Sequence, residues 1–322
     1  MIGARARIAL AGLGLLAGAG CSSVALREAG AGAARVELAD TPFFPQQQYQ
    51  CGPAALATVL VAAGVATSAE ALVPEVYLPG RKGSLQAELL GAARRHERLP
   101  YVIDPGPGAL IAQLDDGRPV LVLQNFGSAR SPAWHYAVVI GYERGADRFI
   151  LRTGTTRRQQ TAARRFLATW RRAGSWGIVA LRPGELPRAA DARRYLEASN
   201  GLEAAGRTTA AALSYAAATA RWPQEPLGWF GLANVRLTEG RFADAEAAYR
   251  QALALDPAQP AARNNLALLL ARRGCADAAR AEIARARADA GGTPFAAEVA
   301  ASEAEIGALR ATAGTRSADC PR

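Results

Sequence analysis

The chain has 322 residues and a formal net charge of +10, long enough for two ordinary domains, each with its own core. The charge does not define a nucleic-acid surface. Lys82 is the sole lysine, and arginine pairs such as Arg94-Arg95, Arg157-Arg158, Arg164-Arg165 and Arg171-Arg172 are scattered as solvated faces without an aromatic-interleaved basic motif. No Cys/His spacing suits a metal ion, and no cofactor is expected.

Residues 1–21 read as an export signal. Arg5 and Arg7 supply the positive start, and Ile8 to Ala19 is an apolar stretch too short to span a bilayer. The stretch ends at Gly20-Cys21-Ser22-Ser23, which resembles a bacterial lipobox although Gly18 stands where a Leu is usual. The expectation is a lipid on Cys21 that anchors the mature chain to a membrane of the cell envelope, facing the periplasm. Residues 22–40 have no sustained period and read as a tether. In an oxidising compartment the spare thiols Cys275 and Cys320 are a candidate disulfide.

Thr41-Pro42-Phe43-Phe44-Pro45 predicts extended chain, followed by an apolar helix from Cys51 to Ala63. Pro53 fits its first turn, where an N–H would be unpaired anyway. Cys51 therefore opens a helix, at the positive end of the dipole that lowers a thiol's pKa. Gly52 removes bulk beside it, and Gln46, Gln47, Gln48 and Gln50 offer amides that could hold an oxyanion. A second helix is expected over Ser84–His96, with Ser84 as N-cap. Short β-rich runs follow at Tyr101–Ile103, Val120–Leu123, His135–Tyr142, Arg148–Arg152 and Trp176–Leu181, an α+β pattern. Of the two histidines, His96 lies in a charged helix end, whereas His135 opens a strand and can face the Cys51 helix.

Phe43-Phe44-Pro45-Gln46, Cys51-Gly52-Pro53-Ala54-Ala55-Leu56 and His135-Tyr136-Ala137-Val138-Val139-Ile140-Gly141-Tyr142 together resemble the C39-like, papain-fold cysteine peptidases. The resemblance is greatest to a lipoprotein subgroup in which that domain precedes tetratricopeptide repeats. It implies Cys51 as nucleophile, His135 as general base and Gln46 as the amide of the oxyanion hole. The family's third member, an Asp or Asn that orients the His, has no clear counterpart. Thr153, Asn125 and Asp147 are the alternatives. The expected domain covers 41–183, and Pro183-Gly184-Glu185-Leu186-Pro187 begins a linker, 184–191.

Beyond the linker a 34-residue period sets in: Gly206, Gly240 and Gly274 share one phase, as do Ala211, Ala245 and Ala279, Tyr215, Tyr249 and Ile283, and Ala218, Ala252 and Ala286. This predicts three tetratricopeptide repeats, 192–225, 226–259 and 260–293, then a capping helix and tail, 294–322. Such solenoids commonly bind a protein segment on their concave face. Asn264 and Asn265 are candidates for bonding its backbone, or else for satisfying neighbouring helices. The expected function is hydrolysis of peptide bonds through an acyl-thioenzyme, with the repeats recruiting a protein partner or substrate. A catalytically weak scaffold, or a transpeptidase or deamidase using the same Cys–His pair, is the alternative.

Overall fold

The computed structural model describes Leu26, residues 32–312 and Cys320. The expected export signal and Cys21 lie outside the described residues. Seven strands form one wholly antiparallel sheet: β1 (Arg35–Glu37), β2 (Leu99–Val102), β3 (Val120–Asn125), β4 (Trp134–Glu143), β5 (Arg148–Thr153), β6 (Thr156–Ala162) and β7 (Gly177–Leu181). Their order is β2-β7-β3-β4-β5-β6, with β1 also paired to β4. Both faces are covered, so β3 is buried along its whole length and its side chains divide by the two-residue pleat. Leu121 and Leu123 pack with α1 (Cys51–Ala62), α2 (Ala69–Val76) and α3 (Gln86–Arg95). Val120 and Val122 join the opposite core with α4 (Pro107–Asp115) and α5 (Ala163–Arg171).

Two sequence expectations are corrected. The tether is not free over its whole length: Leu26 is fully buried and β1 pairs with β4. Ser84 does not cap α3, whose N-cap is Leu85 with no side-chain hydrogen bond. Its hydroxyl is buried without a partner, and a Cβ on Gly52 would come within 2.3 Å of it. Gly52 is thus required for α1 to seat against the segment leading into α3.

The second part is a run of paired helices: α6 (Ala192–Ala204) with α7 (Thr208–Arg221), α8 (Pro226–Thr238) with α9 (Phe242–Leu255), and α10 (Pro260–Arg272) with α11 (Ala276–Ala290). Gly206, Gly240 and Gly274 end the first helix of each pair at positive φ, 71°, 75° and 79°, a conformation open to glycine at no steric cost. The Ala211, Ala245, Ala279 set is fully buried, where a small side chain lets paired helices approach. Helix α12 (Ala296–Thr312) covers the last pair through Val299 and Ile306, and a Cys275–Cys320 disulfide ties the tail to the turn before α11.

The connection between the two parts is held rather than loose. Arg118 pairs with Glu185 at 2.8 Å, the Asp191 N–H donates to Tyr101 Oη at 2.9 Å, and Arg194 meets Asp104 at 2.6 Å. Tyr195, Leu196 and Leu202 of α6 belong to the same core as Leu99 and Tyr101 of β2. Replacing the fully buried Tyr195 with Ala should therefore cost about 3 kcal/mol or more. Sheet and repeats should lose stability together, as coincident shifts of tryptophan fluorescence and helical circular dichroism in urea. An unshifted sheet signal would contradict a shared core.

Candidate active site

Strand β4 outruns β5. Pairing between them begins at Val138↔Arg152, whereas β4 starts at Trp134. On the other side the Leu123 N–H turns to Trp176 O at 3.2 Å, so the facing Tyr136 directs its own N–H and C=O away from β3, toward the side that β5 leaves open. Buried backbone groups need partners, and Tyr136 finds them in the candidate site. Gln46 Nε2 donates to Tyr136 O at 3.2 Å, and the Tyr136 N–H is one of the backbone groups that favour the Cys51 thiolate.

The preceding strap is fixed by backbone and by a buried cation. The Gln46 N–H donates to Gly154 O at 2.9 Å. Arg152, almost wholly buried in β5, donates from Nη2 to Ala39 O at 2.8 Å and to Thr41 O at 3.0 Å. Among the four glutamines this geometry singles out Gln46. One of its amide hydrogens is used by Tyr136, and the nitrogen carries a second.

His135 Nε2 lies 2.7 Å from Thr153 Oγ1. With Nε2–H donating to that hydroxyl, Nδ1 is left as the unprotonated ring nitrogen. The other two candidates for the orienting role sit elsewhere. Asn125 is buried, and its Oδ1 accepts from the N–H groups of Gly127 (2.9 Å) and Ala133 (3.0 Å), closing the β3–β4 hairpin. Asp147 is in the β4–β5 turn at the far end of the hairpin, where Oδ1 accepts from the Leu26 N–H at 3.2 Å. His96 is not a free surface residue: its Nε2 stands 2.9 Å from Glu75 Oε1.

Cys51 and His135 line one cavity of about 800 Å³ together with Gln46, Tyr49, Ser84 and Trp134. The electrostatics reverse the sequence expectation for the thiol. Burial pushes the Cys51 thiol above its ordinary value, opposed by the backbone N–H groups of Tyr136, Gly52 and Cys51 itself. Burial also pushes the His135 imidazole down. Desolvation disfavours both charged forms, so burial favours a neutral thiol and a neutral imidazole. Tyr136 is the contributor that sequence reasoning missed. Its contribution is backbone, which a side-chain motif does not encode.

Asn264 is also corrected. It is buried, and its Nδ2 donates to Asn265 Oδ1 at 3.3 Å. Asn265 Nδ2 in turn donates to Asn234 Oδ1 at 3.1 Å, which also accepts from Tyr249 Oη at 2.8 Å. Asn265 thus bonds a neighbouring helix, whereas Asn264 bonds only Asn265 within its own helix and its Oδ1 is buried without a partner. Among the described residues no cluster of His, Cys, Asp and Glu could hold a metal ion, and no helix is long and apolar enough to cross a membrane.

Residues 38–178 match the Peptidase_C39 like family, and residues 196–260 and 230–293 match the tetratricopeptide repeat. The chain therefore joins a C39-like, papain-type domain to a run of tetratricopeptide repeats, an architecture that binds proteins. A search of the curated proteins finds no match. Among solved structures, similarity extends to a putative C39-like peptidase from Bacillus anthracis, at 16% identity and TM-score 0.38, covering 47% of this chain and 98% of that one. It also extends to the Yersinia enterocolitica type III secretion translocator chaperone SycD, at 16% identity and TM-score 0.36, covering 37% and 83%. A third is the TPR2B domain of yeast Sti1 in complex with an Hsp70 peptide, at 18% identity and TM-score 0.32, covering 37% and 93%.

Thiolate, not thiol, reacts with iodoacetamide. The rate at Cys51 should therefore rise with a midpoint above the about 8.5 of an unperturbed thiol. The shift has a sign: a pKa raised by burial keeps the thiol protonated at neutral pH, so reactivity is gained only as pH rises. Peptide-mapped alkylation between pH 6 and 10 measures it, and a midpoint well below that of a free thiol would contradict the neutral pair.

Proposed function

We propose that the first domain is a cysteine peptidase that hydrolyses peptide bonds through an acyl-thioenzyme. The observation that carries this reading is the shared cleft: Cys51 at the start of α1, His135 turned by its 2.7 Å bond to Thr153, and Gln46 fixed on Tyr136. His135 Nδ1 takes the Cys51 proton as Sγ attacks the scissile carbonyl carbon. The oxyanion receives hydrogen bonds from the Cys51 N–H and the second Gln46 Nε2 hydrogen. As the tetrahedral species collapses, the C–N bond breaks and the leaving amine takes the proton from His135. Water, deprotonated by the same imidazole, then attacks the thioester and releases the acid, and Sγ recovers a proton.

Thr153 replaces the family's carboxylate with a neutral acceptor. It orients the ring but does not offset the charge of the imidazolium that forms. This supports a modest rate, and together with the raised thiol pKa it also supports the second reading, a weakly active domain serving a scaffold built on the repeats. We further propose that the repeats recruit a protein partner or substrate, and that a lipid on Cys21 holds the chain at a periplasm-facing membrane of the envelope.

Peptide-library cleavage, read by mass spectrometry, tests the enzyme. Cys51→Ser and His135→Ala should abolish turnover. Thr153→Val should lower kcat/KM about tenfold, the scale of one hydrogen bond to a group that becomes charged. Thr153→Asp should raise the rate at neutral pH by stabilising the imidazolium. Cleavage retained by Cys51→Ser would refute the peptidase, and absence of cleavage in the unaltered chain would leave the scaffold. For the anchor, Cys21→Ala should move the protein from the membrane fraction to the soluble fraction of cells. Unchanged sedimentation would remove the lipid from the account.

A further inference from the structure

Two non-glycine residues with left-handed backbones meet across the mouth of the Cys51 cleft. Tyr49 has φ 65° and Lys82 has φ 48°, a region that is costly for side chains bearing a Cβ and that concentrates at ligand-binding sites. Tyr49 ends the glutamine strap just before α1. Lys82 closes the 3-10 turn Pro79–Arg81, which is clamped by a bridge between Leu78 and Gly83. The Lys82 ammonium stands 5.8 Å from the centroid of the Tyr49 ring. The sole lysine of the chain is thus held at the mouth, with Arg81 beside it on the same wall.

Several arginines near the sheet are matched by carboxylates. Arg158 and Arg35 share Glu37, Arg118 meets Asp116 and Glu185, and Arg148 meets Glu143. Arg81 and Lys82 are exposed, and among the described residues neither has a carboxylate partner. The cleft they line contains four glutamines, Gln46, Gln47, Gln48 and Gln86, and no Asp or Glu. Its rim carries exposed Tyr49, Leu85 and Trp134, which can cover the apolar parts of an extended chain.

We propose that this cleft selects peptides that carry a carboxylate, received by the Arg81–Lys82 wall while Tyr49, Leu85 and Trp134 pack the flanking residues. The inference rests on the reading of the Cys51 cleft as a substrate site. The carboxylate comes either from an acidic side chain or from the peptide's own C-terminus, and both present the same group to the two cations.

Three synthetic heptapeptides of one Ala-Gly sequence separate these sources: a neutral C-terminal amide, the same amide with two Glu residues, and the neutral sequence with a free C-terminal carboxylate. Each is titrated against the full-length protein, and protection of Cys51 from iodoacetamide is measured. A carboxylate peptide should protect at a concentration about fivefold lower than the neutral amide, the scale of a partly exposed ion pair, and should lose that advantage at high salt. Protection by the Glu peptide assigns a side-chain carboxylate, and protection by the free acid assigns a terminal one. The advantage should vanish in Arg81→Gln/Lys82→Gln and pass to a Lys-containing peptide in Arg81→Glu/Lys82→Glu. Both sites are exposed, and circular dichroism checks that the fold is kept. Equal protection by all three peptides, or an advantage unchanged by the double substitutions, would overturn the proposal. Failure of the underlying nucleophile reading shows separately, as peptide-library cleavage that Cys51→Ser does not abolish.

Discussion

The site depends on a mismatch of strand ends. Because β5 stops at Thr153 while β4 continues back to Trp134, the backbone of Tyr136 is left open in the sheet's own plane. An open N–H and C=O inside a protein are strong directional groups that must be met. Here the Gln46 amide meets the carbonyl, and the N–H favours the Cys51 thiolate. The last residue of β5 is close enough to bond the His135 ring. One short strand end thus gathers Cys51, Gln46 and His135 at one cleft, although they come from a helix, the segment before it and a strand far apart in sequence. The bonds of Arg152 to Ala39 and Thr41 keep the strap in register with that strand end.

Burial then decides the charge state. A helix N-terminus favours a thiolate by a fraction of an elementary charge that fades within a turn, whereas removing a sulfur anion from water opposes it more strongly. The balance falls on the side of burial for Cys51, and the same effect keeps His135 neutral. A carboxylate beside the imidazole would oppose this, and a threonine hydroxyl does not. In the proposed peptidase, proton transfer would then accompany attack rather than precede it.

The solenoid is not an appendage. Its first helix completes a core begun by β2 and α4, and the hydrogen bond from the Asp191 N–H to Tyr101 fixes the junction. The repeats were legible because the 34-residue register states the same packing several times. The helix opened by Cys51 and the strand opened by His135 were legible as well, from Pro53 in the first turn and the apolar run after His135. Other elements left little trace. Strand β1 has three residues, and β6 is Thr156-Arg157-Arg158-Gln159-Gln160-Thr161-Ala162, an edge strand without apolar alternation. Arg164-Arg165 and Arg171-Arg172 are solvated as read, and the helix that carries them, α5, buries Phe166, Leu167 and Trp170 on its other side. Position −5 from Cys51 identifies a glutamine, but only the Tyr136 carbonyl distinguishes Gln46 from its neighbours. Composition gave 184–191 as a linker because it is rich in Pro and Gly, and its tertiary bonds are invisible to composition.

The most direct measurement is the ¹⁵N spectrum of the histidine rings at pH 7, with His96→Gln removing the only other histidine signal. The account predicts that His135 is a neutral ring protonated at Nε2 and unprotonated at Nδ1, and that Thr153→Val disturbs the Nε2 resonance. A doubly protonated imidazolium, or a ring protonated at Nδ1, would contradict a neutral base oriented by Thr153 toward the Cys51 thiol.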